Sequence, residues 1–278
     1  MRRNPAIPLN WRYSRPINPQ WARHQSAMGR PINGTGASAG PRIGPFAYNR
    51  PMCGRYVSPD DASLEREFNL VRTEWRFPAN FNVAPTQQVP AIRAAAREPE
   101  GVLLRWGLVP YFARGVPGKY STINARVETL ETTASFRGPW QRAQRCILPA
   151  MGFYEWHVNP DGTKQPFYIH AEDQEIFGFA GLWERSQADG AAALESCTII
   201  TLPANPFMAA IHNAKGRMPA ILPRALRAAW LTGDASEAKR ALAAYPDELL
   251  SAYPVTKRVN TPRNNDENLI EPLSTEID

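Results

Sequence analysis

Cys53 follows Met52 and precedes Gly54 and Arg55, a polar setting for a thiol. If translation starts at Met52 and that methionine is removed, Cys53 becomes the first residue, with a thiol and an α-amine on neighbouring carbons. An α-amine has a pKa of about 7.7, so roughly a sixth of it is neutral at pH 7; a free lysine, at about 10.4, is neutral only to roughly a few parts in ten thousand. Such an amine condenses with an aldehyde to a Schiff base. The adjacent thiol can then close a five-membered thiazolidine ring, which resists hydrolysis better than an open imine. Position alone leaves a second reading open, an incidental cysteine.

Three further residues could complete such a site. Glu155 lies in Gly152-Phe153-Tyr154-Glu155-Trp156, where strand alternation puts Phe153 and Glu155 on one face and Tyr154 and Trp156 on the other. A carboxyl among aromatic rings has its pKa raised by desolvation and can act as a general acid near neutrality; the alternative is a strand-edge glutamate paired to an arginine. His212 follows an apolar helical stretch and precedes Lys215-Gly216-Arg217-Met218-Pro219. It reads as a proton shuttle or as a helix cap. Asn124, in Thr122-Ile123-Asn124-Ala125-Arg126, reads as a site amide sharing a face with Arg126 or as a turn residue. Trp106 and Trp156, with Arg55, Arg126 and Arg217, suit stacking and phosphate contacts on single-stranded nucleic acid; two core tryptophans are the other reading.

The elements that must position these residues are legible in outline. Ser58-Pro59-Asp60-Asp61 predicts an N-cap followed by proline at the first helical position, and a helix to about Leu70 with Leu64 and Phe68 on one face. Residues 75–100 read as loops and short strands broken by Pro78, Pro85 and Pro90. Strands are predicted over 102–109, 145–148, 152–158, 166–170, 175–183 and 195–202. Asn159-Pro160-Asp161-Gly162 marks a turn, and 115–118 a Gly/Pro-rich loop. Residues 126–144 look partly helical, and helices are predicted over 205–212, 226–231 and 235–244. No internal repeat or long linker interrupts 52–278, which favours one α+β domain round a curved, largely antiparallel sheet.

Charge is unevenly spread. The 278 residues carry 32 Lys and Arg against 26 Asp and Glu, a net charge of +6. Residues 1–51 hold eight Arg, no Lys and no acid, which leaves 24 basic and 26 acidic residues over 52–278. Any nucleic-acid contact by the body therefore needs a local basic patch. Residues 1–51, rich in Pro, Gly, Arg and Asn, read as a disordered leader, either an artefact of a start assigned upstream of Met52 or a segment removed by proteolysis. No apolar run approaches the roughly 18 to 20 residues of a membrane span, and no secretory h-region follows Arg2 and Arg3. Cys53, Cys146 and Cys197 fit neither a disulfide framework nor a zinc site. Cys146 and Cys197 read as buried strand residues, and the set suits a reducing, cytoplasmic compartment. No metal or cofactor is expected.

Eight motifs stand in order: Met52-Cys53-Gly54-Arg55-Tyr56, Asn82-Val83-Ala84-Pro85-Thr86, Trp106-Gly107-Leu108-Val109-Pro110, Asn124-Ala125-Arg126-Val127-Glu128-Thr129, Arg145-Cys146-Ile147-Leu148-Pro149, Gly152-Phe153-Tyr154-Glu155-Trp156, Ala180-Gly181-Leu182-Trp183 and Arg217-Met218-Pro219. Together they resemble the SRAP family, the SOS-response-associated peptidases, also described as abasic-site processing proteins. The resemblance runs from Met52 to about Pro272. It implies a single SRAP-type α+β domain over 52–273, with a barrel-like core, flanking helices and a short tail at 274–278. It implies that Cys53, exposed by loss of Met52, crosslinks to the ring-opened abasic sugar as a thiazolidine. Asn124, Glu155 and His212 would be the other catalytic residues. Glu155 would assist ring opening and crosslink reversal, and His212 Schiff-base chemistry and strand cleavage. The DNA contacts would map to Arg55, Trp106, Arg126, Trp156 and Arg217. The implied partner is single-stranded DNA containing abasic sites, met by a monomer at the nucleoid.

Two departures from the family pattern matter. The 51 residues before Met52, if retained, leave Cys53 without a free amine and forbid the ring. The stretch from His212 to Arg217 is three residues longer than the family's His-x-Arg-Met-Pro, which leaves the placement of Arg217 open. Two other functions also remain. A cysteine peptidase or autoprocessing hydrolase using Cys53, His212 and Glu155 or Asn124 would cut before Cys53, or turn over a peptide, without DNA. A non-catalytic single-strand binder would bind salt-sensitively and ignore the lesion.

Overall fold

The computed structural model describes residues 53–70, 75–95, 98–118 and 121–273. The expected leader at 1–51 and tail at 274–278 lie outside the described residues. The strands are β1 (Tyr56–Ser58), β2 (Asn80–Val83), β3 (Gln88–Arg93), β4 (Glu100–Trp106), β5 (Asn124–Arg126), β6 (Arg145–Ala150) and β7 (Gly152–Val158). They continue as β8 (Lys164–Ala171), β9 (Phe177–Ser186), β10 (Leu194–Pro203), β11 (Arg217–Pro219), β12 (Ile221–Leu222) and β13 (Leu250–Pro254). The helices are α1 (Asp61–Phe68), α2 (Ala134–Gln141), α3 (Pro206–Ile211), α4 (Arg227–Thr232) and α5 (Ala235–Ala241).

Five strands close on themselves. β3 pairs with β4 and β6, β6 with β9, β9 with β10, and β10 back with β4. The closing β10–β4 pairing is parallel and the other four are antiparallel. Closure leaves no open edge in this ring, and all six residues of β6 are buried. Glycines on β9 let the walls approach. A Cβ on Gly181 would press on the Leu148 side chain and come within 2.8 Å of the Thr198 carbonyl oxygen.

A second sheet, in the order β13-β8-β7-β1-β2, is antiparallel throughout. β7 joins the two layers through its alternating faces. Phe153 meets Phe177 and Phe179 of β9 edge-on, at ring-centre distances of 6.5 and 5.8 Å. On the opposite face, Tyr154 enters a separate cluster with Val57, Tyr168, Val255, Val259 and Leu269, and Trp156 packs against it. Each fully buried ring of this kind contributes about 1.5–3 kcal/mol relative to exposure.

The predicted α+β architecture stands, with local corrections. α1 starts two residues later than expected. Asp60 is its N-cap and accepts the Ser63 amide at 2.8 Å, while Ser58 belongs to β1 opposite Asn80. A carboxylate is as good a cap as serine, and Asp60 is the residue placed to reach that amide. β4 ends at Trp106 rather than 109, because Gly107 turns the chain at a φ of 118°. β13 was not anticipated, and β1, β5, β11 and β12 are too short for a period to register. No helix among the described residues is long and apolar enough to cross a membrane.

Gly181→Ala tests the closure. Overpacking of this kind costs about 1–3 kcal/mol, so the urea midpoint should fall with an unchanged slope. A midpoint equal to the parent's would contradict the tight wall at Thr198.

Candidate active site

The register of β1 on β7 builds the site. Tyr56 lies opposite Phe153, and the Tyr154 amide donates to the Arg55 carbonyl at 3.0 Å. Running the same antiparallel path back toward the N-terminus brings Cys53 to Glu155. The Cys53 backbone nitrogen donates to Glu155 Oε1 at 2.9 Å. The second carboxyl oxygen, Oε2, lies 3.6 Å from His212 Nε2.

His212 is delivered by α3, which Asn205 caps by accepting the Met208 amide at 2.8 Å. It is the helix C-cap residue, its amide bonded to the Met208 carbonyl at 2.7 Å. The cap reading holds, and the side chain nevertheless turns toward Glu155. His212 Nδ1 lies 3.1 Å from the Arg217 carbonyl oxygen. A carbonyl can only accept, so Nδ1 carries the hydrogen and Nε2 is left to exchange a proton on the Glu155 side.

Burial dominates the electrostatics. Glu155 is 3% exposed, and desolvation pushes its carboxyl up to about 8, against the opposing pulls of the Cys53 N–H and Lys215. Burial, then the Glu155 charge, raises the Cys53 thiol well above its ordinary range. Burial lowers His212; the Arg217 carbonyl opposes the shift, and Lys215 and Lys164 add to it. At neutral pH the pair is therefore a protonated carboxyl beside a neutral imidazole, since two separated charges cost more in a dry site. Cys53 also sits at a φ of 38°, in the left-handed region that a non-glycine residue rarely enters.

The remaining expected residues divide. Asn124 stands in β5 beside Ile199 of β10. Its side-chain nitrogen and oxygen are both buried and both lack a hydrogen-bond partner, a rare condition for an amide. Arg126 is exposed. Arg55 braces the fold from within, its Nη1 donating to Asn82 Oδ1 at 2.9 Å and to the Val259 carbonyl at 2.5 Å. Trp156 is partly exposed and donates its Nε1 hydrogen to Asn260 Oδ1 at 2.8 Å. Trp106 corrects the sequence reading. It is 0% exposed, donates to the Ile123 carbonyl at 2.9 Å and meets the Tyr56 ring edge-on, so it has no face to offer a base. Arg217 is also turned inward, pairing with Glu128 and donating to the Thr201 carbonyl at 2.7 Å.

The sequence reading missed Tyr111 and Phe112, which are 62% and 53% exposed. The Arg142 guanidinium lies 5.8 Å from the Tyr111 ring centre. They open a short 3-10 helix, Tyr111–Ala113, directly after Pro110.

From Met52 onward the chain is similar to known proteins. Residues 52–262 match the family described as SOS response associated peptidase (SRAP). The abasic site processing protein YoqW of Bacillus subtilis is 37% identical over 227 residues, covering 79% of this chain and 99% of that protein. The abasic site processing protein HMCES of Gallus gallus is 30% identical over 269 residues, covering 80% of this chain and 78% of that protein. Among solved structures, a protein from Bacteroides thetaiotaomicron superposes with a TM-score of 0.71 at 25% identity, over 80% of this chain and all of that one. One from Bordetella bronchiseptica does so with a TM-score of 0.66 at 30% identity, over 73% of this chain and all of that one.

The burial of Glu155 fixes the sign of a pH effect. A carboxyl whose pKa rises on folding keeps its proton after the unfolded chain has lost it. The native state therefore loses stability as pH rises from the ordinary 4.5 to about 8, and no further above that. Glu155→Gln removes this slope, so the variant's thermal midpoint should climb relative to the parent's across that window and then run level. His212, lowered by burial, contributes a slope of the opposite sign, confined to the acidic side of the window. Parallel curves would contradict the assignment.

Proposed function

The chain belongs to the SOS response associated peptidase family, and on that premise we propose that it processes abasic sites, binding single-stranded DNA and capturing the ring-opened sugar through Cys53. The observation that carries this reading is the 2.9 Å contact between Cys53 nitrogen and the buried carboxyl of Glu155. The working form is the chain that begins at Cys53, in which that nitrogen is an α-amine. Releasing the residues before it also removes the φ torsion at Cys53, and with it a strain of about 1–3 kcal/mol.

A neutral α-amine is the nucleophile, and Glu155, whose Oε1 meets the Cys53 nitrogen at 2.9 Å, is the group placed to take the amine's proton. The amine nitrogen attacks the sugar aldehyde carbon. The carbinolamine oxygen leaves as water, taking a proton that Glu155 or His212 returns, and a C=N bond remains. The thiol then adds across that bond: sulfur bonds to carbon and its proton ends on nitrogen. The sum is amine, thiol and aldehyde giving one thiazolidine and one water. Burial raises this thiol and the thiolate is the better nucleophile, so the thiol gives up its proton as the C–S bond forms rather than before it.

Asn124 supports the reading because its unpartnered amide offers one donor group and one acceptor to a sugar hydroxyl. Tyr111 and Phe112 supply exposed rings for bases, each worth about 1–3 kcal/mol when stacked. Trp156 and Arg126 remain candidate DNA contacts, and the protein would act as a cytoplasmic, nucleoid-associated monomer. The peptidase reading is weaker, because a cysteine peptidase needs a lowered thiol pKa and burial raises this one. Release of the N-terminal segment is the one proteolytic step compatible with the site.

Intact mass decides between these readings. The chain beginning at Cys53, mixed with abasic single-stranded DNA, should gain the mass of the strand less one water and keep it under denaturation. Cys53→Ala should show no adduct, and so should a chain with residues 1–52 retained. Undiminished capture by either would overturn the mechanism. Asn124→Leu should slow capture about tenfold, since leaving one polar partner unmet costs about 1–3 kcal/mol.

A further inference from the structure

The longer stretch between His212 and Arg217 is a built feature. The amides of Lys215 and Gly216 both donate to the His212 carbonyl, at 3.3 and 3.1 Å. Gly216 takes a φ of 58° and its carbonyl accepts the Ala204 amide at 2.9 Å. The Asn213 side chain grips the end of β7 from both sides. Its Oδ1 accepts the Val158 amide at 3.0 Å, and its Nδ2 donates to the Val158 carbonyl at 2.9 Å. Asn213 thus behaves as one more paired strand residue, and it ties the loop to the hairpin that carries Glu155.

Val158 lies opposite Lys164 in the β7–β8 register, so Lys164 and the tied loop share one end of the hairpin. Both lysines are exposed, and both of their charges reach His212. Arg217, the cation of the family's His-x-Arg-Met-Pro pattern, pairs with Glu128 instead.

We propose that Lys215, seconded by Lys164, binds the DNA phosphodiester beside the captured sugar, in place of the inward-turned Arg217. This rests on the function proposed above and names a binding contact within it. The body holds 24 basic against 26 acidic residues over 52–278, so its hold on a strand depends on a few placed cations rather than on overall charge. The contact also sets the strand's direction across the site, because the tied loop fixes which flank of the sugar faces the lysines.

The test uses a strand carrying a tetrahydrofuran abasic analogue, which has no aldehyde, so binding is read without capture. Anisotropy gives affinity for the parent, Lys215→Ala and Lys215→Arg, on the native strand and on strands with one uncharged methylphosphonate on either side of the analogue. Lys215→Ala should weaken native binding about fivefold and lower the log–log salt slope by about 0.7; Lys215→Arg should restore both. At one flank the methylphosphonate should cost the parent about fivefold and cost Lys215→Ala nothing more, the coupling expected of a direct pair. Independent, multiplying effects at both flanks, or an unchanged salt slope, would overturn the proposal. Covalent capture of true abasic strands, run in parallel on the parent, reports separately on Cys53. Its failure beside an intact lysine coupling would sink the crosslink reading alone.

Discussion

Glu155 holds a carboxyl where water cannot reach it, with the Cys53 nitrogen on one oxygen and His212 beside the other. An ionised carboxylate in such a place is costly unless it is paired. The group therefore keeps its proton to about pH 8 and can donate or accept one near neutrality. The protonated thiol and the neutral imidazole follow from the same dryness. Burial, rather than a network of fixed charges, tunes all three groups.

The fold supplies that burial by layering two sheets. β7 is the shared wall: Phe153 locks it to the closed ring of strands, and Tyr154 and Trp156 lock it to the outer cluster. Glu155 follows Phe153 on the ring-facing side, so its environment is set by the same packing that stabilises the domain. α3 reaches the site from β10, whose other neighbours include β5 with Asn124. Residues far apart in sequence meet because α3, which follows β10, packs against β7.

Much of this was legible in the sequence for local reasons. The alternation over Gly152–Val158 assigned the faces of Phe153, Tyr154, Glu155 and Trp156 correctly, and the helix predicted over 205–212 is the one that delivers His212. The motif series pointed to the family that the comparisons show. What stayed hidden depends on long-range closure. Trp106 and Trp156 look alike in sequence, but ring closure buries the first completely. Arg217 looks free until Glu128, 89 residues away, pairs with it. Arg55 is spent on carbonyls near residue 260. No periodicity reports such partners.

The most direct measurement of the central claim is a carbon-13 NMR titration of the Glu155 side-chain carboxyl, assigned by its loss in Glu155→Gln and recorded on the chain that retains the residue before Cys53. A carboxyl buried against the Cys53 amide should titrate with a midpoint near 8. A midpoint near the ordinary 4.5 would mean that water reaches the group and that the site is not tuned by burial.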